Sequence, residues 1–376
     1  MQRRIYMDWN ATAPLRPAAR HALVTATEIC GNPSSVHGFG RDARRLIDQS
    51  RAQLAALLGA KVQDVVFTSG GTEANALMLA NRGARRLIVS AIEHDSILKP
   101  ALATGASVIR VDRNGVIDLD HLRTLLMESG EPALVSVMLA NNETGVIQPV
   151  AEAARLAHEF GAQFHCDASQ AIGRIPVDLA ALGADYLSIS GHKFGAPLGV
   201  GALVLNSAAL GHHEIAPLLQ GGGQERNRRA GTENAPAIAG LGAAVGELDS
   251  GEAEKVSALR ALLEKRLLAV TPEACILGIE APRLPNTICI ATGTKPSETQ
   301  VMAFDLAGIA VSAGSACSSG KVKPSHVVSA MGFDAATAAR SVRISLGWGN
   351  IPADIDAFVA AWTHIQSGDR QIQPAA

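Results

Sequence analysis

Short apolar runs recur along this chain between helical patterns, and that alternation limits its fold more than any other feature. The runs are Val62 to Thr68, Leu87 to Ser90, Val108 to Val111, Leu134 to Leu139, Gln163 to Asp167, Tyr186 to Ser190 and Val200 to Leu205. Such a pattern marks strand-helix-strand crossovers, which put helices on both faces of a mostly parallel sheet. After about residue 250 the character changes to a charged helix (Glu252 to Val270), short strands around Asn286 to Ala291 and Ile309 to Ser312, and a helix near Glu298 to Ala307. At 376 residues the chain exceeds a single compact core. We therefore expect an α/β chain: a large domain over residues 14–250, and a smaller α+β domain over 1–13 and 251–376 that the first dozen residues join.

In open parallel sheets, ligands bind beyond the carboxyl ends of the strands. Polar residues cluster where the apolar runs stop, so Ser69 to Thr72, Glu93-His94, Asn141-Asn142, Asp167 and Ser190 to Lys193 are candidates for one shared site. Ser69-Gly70-Gly71-Thr72-Glu73 runs from a strand into a helical stretch. Its glycines let backbone N–H groups point at an anion while Thr72 adds a hydroxyl, although Ser/Thr-Gly at a helix start also serves as a plain cap. The spacing fits neither a Walker loop nor the dinucleotide fingerprint. Lys193, at the end of Ser190-Gly191-His192-Lys193, can be desolvated and so form a Schiff base with an aldehyde cofactor. Asp167 lies one strand-helix-strand step earlier, where a carboxylate under a pyridine nitrogen keeps that ring protonated. His94 can stack on a ring and move protons near neutral pH. Arg343 interrupts an apolar strand, where its guanidinium can grip an amino-acid carboxylate.

Five cysteines (30, 166, 275, 289 and 317) form no CxxC pair and no Cys/His cluster with metal-ligand spacing, so we expect no structural zinc, no disulfide framework and a reducing compartment. Cys317 stands apart, in a run of small residues followed by Lys321 and Lys323, where nearby positive charge favours the thiolate. The other four read as inert packing, Cys30 least firmly because it precedes a Gly-Asn-Pro turn. His212-His213-Glu214 lacks a third ligand at helical spacing. The polar segment Gln224 to Asn234 suits an active-site lip or a subunit contact rather than a core. A net charge of −2 and few aromatics (three Trp, two Tyr, eight Phe) argue against a nucleic-acid groove. No apolar run reaches the roughly 18 residues of a membrane span, and the N-terminal Arg-Arg pair leads into a strand-like piece rather than a signal core, so the expected location is cytoplasmic.

The ordered motifs resemble the cysteine desulfurases of the NifS/IscS class, within the fold-type I pyridoxal 5'-phosphate (PLP) enzymes. The resemblance runs from Met7-Asp8 to about Gly347. It is carried by Asn10-Ala11-Thr12, Gly31 to Ser35 with His37, Ser69 to Glu73, Glu93-His94, Asn141 to Gly145, Asp167 with Gln170, Ser190 to Lys193, Gly222 to Asn234 and Gly314 to Cys317. It implies a seven-stranded, mostly parallel sheet, with Lys193 bound covalently to PLP, Asp167 on the pyridine nitrogen, Gln170 at the ring oxygen and His94 stacked. It further implies a phosphate site of Gly71, Thr72, Ser190 and His192, joined by Thr232 from the partner of a homodimer, and Asn142 with Arg343 on the substrate carboxylate. Catalysis would rest on Lys193, His94 and Cys317: L-cysteine is converted to alanine, and Cys317 carries the sulfur as a persulfide to an acceptor protein such as an iron-sulfur scaffold. The long cysteine loop is similar to the first group of these enzymes, and the short tail to the NifS side. A selenocysteine lyase would share almost every residue, whereas an aminotransferase would not need Cys317.

Overall fold

A computed structural model describes residues 4–211, 215–314 and 324–367. Its centre is a seven-stranded sheet in the order Val65–Thr68, Gly201–Leu205, Tyr186–Ser190, Gln163–Asp167, Ala133–Ser136, Arg86–Ser90, Ser107–Ile109. Every pairing is parallel except the two made by Gly201–Leu205, which runs against both neighbours. Chain length explains the reversal: only residues 191–200 separate that strand from Tyr186–Ser190, and a parallel return needs a crossover of a dozen residues or more. Helices cover both faces, so the central strands are buried throughout and read as continuous apolar runs. One face packs Ile47, Leu54, Val135, Phe164 and Ile189, the other Leu77, Met78, Leu134, Tyr186 and Leu203.

Two expected strands differ in extent. Val62–Asp64 forms one turn of 3-10 helix before the strand begins at Val65. Beyond Ser136 the chain still bonds to its neighbour through Val137 N to the His165 carbonyl and Leu139 N to the Asp167 carbonyl. It then turns away at Asn141, whose side-chain oxygen accepts from Glu143 N and Thr144 N.

A second sheet, Ser312–Ala313, Ser341–Ser345, Thr287–Ala291 and Cys275–Ile276, is antiparallel throughout. Ile5–Tyr6 pairs with Ile309–Ala310 beside it. Its core is separate from that of the large sheet and centres on Met7, Leu263, Ile288 and Ile344, with Phe304 and Phe358 stacked 4.8 Å apart. Helices Ser250–Val270, Ser297–Leu306 and Pro352–Ser367 accompany it.

Two expectations about single residues are corrected. Cys30 and Cys275 are exposed, whereas Cys166 and Cys289 are buried as packing residues. Cys275 reaches solvent because its two-residue strand lies at the open edge of the smaller sheet. Within the polar segment 224–234, Glu225 is 3% exposed. Its carboxylate accepts from Arg51 Nη1 and Nη2 (2.7 and 2.6 Å) and from Phe67 N (2.9 Å), and a paired, fully hydrogen-bonded charge can be buried where a lone one cannot.

Candidate active site

At the carboxyl ends of the large sheet lies a cavity of about 320 Å³, lined by Gly71, Thr72, His94, Asn142, Asp167, Gln170, Ser190, His192, Lys193 and Arg343, together with Asn10, Asn75, Ser96, Met138 and Ser169. These residues come from five strand ends, the chain's first loop and the second sheet. Thr232 is exposed on this chain and lines a different hollow, with Gly31, Pro33 and Leu46. Cys317, Lys321, Lys323 and His212 to Glu214 lie outside the described residues.

Gly71 begins the helix Gly71–Ala80, and no side chain caps the helix's first turn. The plain-cap reading of the Ser-Gly start thus loses its support. Gly201, where its strand starts, lies so near that a Cβ there would meet the Gly70 backbone at 2.7 Å. A Cβ on Gly71 would come within 3.0 Å of Ser169 Oγ and 3.2 Å of Ser190 Cβ. Glycine lets this turn close down on Ser190 without displacing the two serine side chains.

Asp167 ends its strand at 6% exposure. One carboxylate oxygen accepts from Asn75 Nδ2 at 2.8 Å, the other from Ser169 N at 2.9 Å. Asn75 also reaches Ser96 Oγ (2.9 Å), and its own buried Oδ1 has no partner in the chain. Sequence reasoning passed over Asn75, although its place four residues after Gly71 puts it on the same helix face.

Lys193 closes a short 3-10 turn that follows the strand Tyr186–Ser190, and its Nζ donates to the carbonyls of Asn10 (2.7 Å) and Ala11 (3.0 Å). Beside it, burial first and the Lys193 charge second push His192 down to about 4. Its Nδ1 lies 3.1 Å from Thr12 Oγ1, so at neutral pH it serves as an uncharged hydrogen-bonding group. His94 caps the helix Asp95–Ala103 by accepting at Nδ1 from Ser96 N (3.1 Å). That bond leaves Nε2 as the position that holds the ring proton.

Gln170 donates to the Asn10 carbonyl at 3.1 Å and accepts from Arg174. Burial, with Arg343 as the lesser cause, holds Arg174 down at about 9. Arg343 donates from Nη1 to the Asn142 carbonyl (3.1 Å) and from Nη2 to Asp8 Oδ1 (2.7 Å), while its buried Nε has no partner in the chain. Asp8 therefore already balances part of the guanidinium charge that a carboxylate ligand would meet.

Two buried carboxyls complete the surroundings. Glu93 Oε1 accepts from Ser90 Oγ (2.6 Å) and Met138 N (2.7 Å), and burial pushes its pKa up to about 8. Glu143 is pushed up to about 7, again chiefly by burial.

Residues 5–358 match the family described as aminotransferase class-V. The chain belongs to that family. It is 42% identical to a cysteine desulfurase from Cereibacter sphaeroides, an alignment that covers 99% of this chain and 98% of that one. It is 38% identical to cysteine desulfurase IscS of Dictyoglomus turgidum, covering 100% and 97%. Among solved structures, a NifS-like protein from Rickettsia africae superposes with a TM-score of 0.90 at 38% identity, covering 97% of this chain and all of that one.

The class-V aminotransferase family depends in general on pyridoxal phosphate. The donor set fits that group: a lysine amine for its aldehyde, a carboxylate for its ring nitrogen, and an uncapped glycine turn with Ser190 and a neutral histidine for its phosphate, all on one cavity. Among the described residues no group of His, Cys, Asp and Glu could hold a metal ion, and no helix is long and apolar enough to cross a membrane.

Proposed function

We propose that this chain is a pyridoxal-phosphate-dependent cysteine desulfurase, with Lys193 as the residue that holds the cofactor and Cys317 as the residue that takes the sulfur. The observation that carries this reading is the meeting of Lys193, Asp167 and the uncapped Gly71 turn on one cavity, in a chain about 40% identical over its full length to cysteine desulfurases. When bound, pyridoxal phosphate draws electron density from the substrate α-carbon and so weakens the bonds made there.

The chain's own groups do the rest. Asp167, held by Asn75 and Ser169 N, supplies fixed negative charge for the ring nitrogen. Gly71, Thr72, Ser190 and His192 bind the phosphate, with Thr232 added from the partner in a homodimer; Gln170 meets the ring oxygen. Asn142 and Arg343 orient the substrate carboxylate, and Asp8 keeps the Arg343 fork pointed at the Asn142 turn. Lys193 Nζ, the amine that would hold the cofactor, would also take the proton from the substrate α-carbon, and His94 Nε2 would hold a proton within the same cavity. The Cys317 thiolate then attacks the substrate sulfur. The new S–S bond forms as the carbon–sulfur bond breaks; that bond's electron pair stays on carbon and is quenched by a proton. Cysteine and the Cys317 thiol thus become alanine and a Cys317 persulfide, with atoms and electrons balanced and no external oxidant.

The persulfide passes to an acceptor protein, such as an iron-sulfur scaffold. This chemistry requires a reduced thiol, which supports a cytoplasmic setting. We also divide the chain into a large domain at residues 14–250 and a small one formed by 1–13 and 251–376, a reading supported by the two separate cores.

The test is alanine and sulfide release from L-cysteine in the presence of a reductant. Wild-type protein is expected to give equal amounts of both, Cys317→Ala neither, and Lys193→Ala neither alanine nor the visible absorption of the bound cofactor. Alanine formation that survives Cys317→Ala would overturn the desulfurase reading in favour of another lyase or an aminotransferase.

A further inference from the structure

The side chain read as meeting the cofactor's ring oxygen is held in turn by a cation. Gln170 is 5% exposed and lines the cavity. Arg174 borders a separate small hollow with Trp9, Phe194 and Asn286, and Lys193 borders both spaces. The guanidinium donates from Nη1 to the Gln170 side-chain oxygen and to the Gln170 carbonyl (2.9 Å), and from Nη2 to the carbonyls of Trp9 (3.3 Å) and Lys193 (3.4 Å). All four acceptors are uncharged.

These bonds fix which way the Gln170 amide faces. A guanidinium only donates, so the amide atom against it must be the oxygen, and the nitrogen falls on the other side. One hydrogen of that nitrogen goes to the Asn10 carbonyl (3.1 Å), which also accepts from Lys193 Nζ (2.7 Å). The second has no acceptor among the described residues, on a side chain that lines the cavity.

The charge has no answering one in the chain. Burying a guanidinium among neutral oxygens costs stability unless an anion offsets it. Among the described residues no acidic group acts on Arg174; the charge that does act, that of Arg343, is also positive. Arg343 has Asp8, and Arg16, on the same hollow as Arg174, has Glu252. Arg174 is left as a cation beside the site that a bound anion would satisfy.

We propose that Arg174 tunes the cofactor's ring oxygen: it turns the Gln170 amide nitrogen to that oxygen and supplies a positive charge that favours its ionised form. It is a positioning residue that acts through Gln170, and a neutral side chain could do only the first of these. The proposal rests on the reading of this cavity as a pyridoxal-phosphate site.

The experiment compares wild type, Arg174→Met, Arg174→Lys, Arg174→Gln and Gln170→Ala in two readouts other than turnover. One is the dissociation constant of pyridoxal phosphate titrated into cofactor-free protein. The other is the pH midpoint at which the visible absorption of the bound cofactor changes in the absence of substrate. Loss of a proton leaves the bound cofactor one charge more negative, so a neighbouring cation lowers that midpoint and its removal raises it. Asp167, His94, His192 and Arg343 also line the cavity. They are common to every variant, so a difference in midpoint among the Arg174 variants reads that side chain.

Arg174→Met is expected to raise the midpoint by roughly one pH unit, the scale of a single charge acting across a protein site at an effective dielectric of about 20. It should weaken cofactor binding roughly tenfold, as for loss of a hydrogen bond to a charged group, and Gln170→Ala should weaken it by a similar factor. Arg174→Lys, which keeps the charge, should hold the midpoint within about 0.3 unit of wild type, whereas Arg174→Gln, which keeps a donor without the charge, should shift it as Met does.

The proposal is overturned if Arg174→Met leaves the midpoint within about 0.3 unit of wild type, or if Arg174→Lys shifts it as far as Met, which would make Arg174 a structural prop. Should Arg174→Met fail to fold, Arg174→Gln decides by the same midpoint. Lys193→Ala run in parallel separates the two levels: a visible band that survives in that variant sinks the pyridoxal-phosphate reading, whereas a band lost there beside a midpoint indifferent to Arg174 sinks only this inference.

Discussion

Replacing Glu225 by alanine should destabilise the large sheet more than any active-site substitution described above. The Arg51 and Glu225 side chains are each 1% exposed and joined through both guanidinium Nη atoms, and Glu225 also takes the Phe67 N–H. Without the carboxylate, Arg51 keeps only the Val65 carbonyl (2.7 Å) and the Phe67 ring, 4.7 Å away. An uncompensated buried charge of this kind costs about 3–5 kcal/mol. A smaller term opposes it. Glu225, Arg226 and Asn227 all have left-handed backbone conformations (φ 48°, 56° and 63°). Each such non-glycine residue stores roughly 1–2 kcal/mol, part of which a freed segment would release. We therefore expect a net loss of about 3 kcal/mol for Glu225→Ala, near the lower end of that range. The assay is urea unfolding followed by far-ultraviolet circular dichroism, reading the first transition and checking that its slope is unchanged, since a chain with two cores is not bound to unfold in one step. Because the cost comes from stranding Arg51, the double variant Arg51→Met/Glu225→Leu should be more stable than Glu225→Ala despite changing more atoms. A Glu225→Ala variant within about 1 kcal/mol of wild type, or a double variant as unstable as the single, would refute the argument.

Two further predictions concern charge and assembly. Glu93 is held near 8 when folded against 4.5 in its ordinary state, so the folded chain keeps a proton that the unfolded chain gives up. The stability this group contributes is full below about pH 4.5 and lost as the pH rises through 8; Glu93→Gln should remove that loss and gain on wild type by on the order of 3–5 kcal/mol between pH 5 and pH 9, and parallel stability curves for the two would contradict it. If Thr232 serves the partner's site, a hybrid dimer of one Thr232→Ala and one Lys193→Ala subunit collects both defects in one site and keeps about half of wild-type activity; a hybrid with no more than half the activity of the Thr232→Ala homodimer would show that Thr232 acts within its own subunit.

What the sequence discloses about this chain is whatever depends on neighbours along it. A strand that must be buried on both faces is written as an unbroken apolar run, so the sheet and the edge that carries the cavity were legible, and Lys193, Asp167 and Gly71 stood out by falling together at the ends of such runs. Contacts made across the fold left no such mark. Asn75 looks like any polar residue in a helix until Asp167 lies against it at 2.8 Å. Arg51 and Glu225 are 174 residues apart, and each alone reads as a solvated charge, so a segment that appeared too polar for a core contains a buried carboxylate. Glu143 is the most instructive case, because its turn was read for Asn142 while the carboxylate beside it passed without remark. Its Oε2 accepts from Ser325 Oγ, 182 residues further along the chain, a contact invisible to any local pattern. Side chains that line the cavity were recognisable from their chemistry. Those that fix the distances between the pieces of the cavity were not, because each acts through a partner far along the chain.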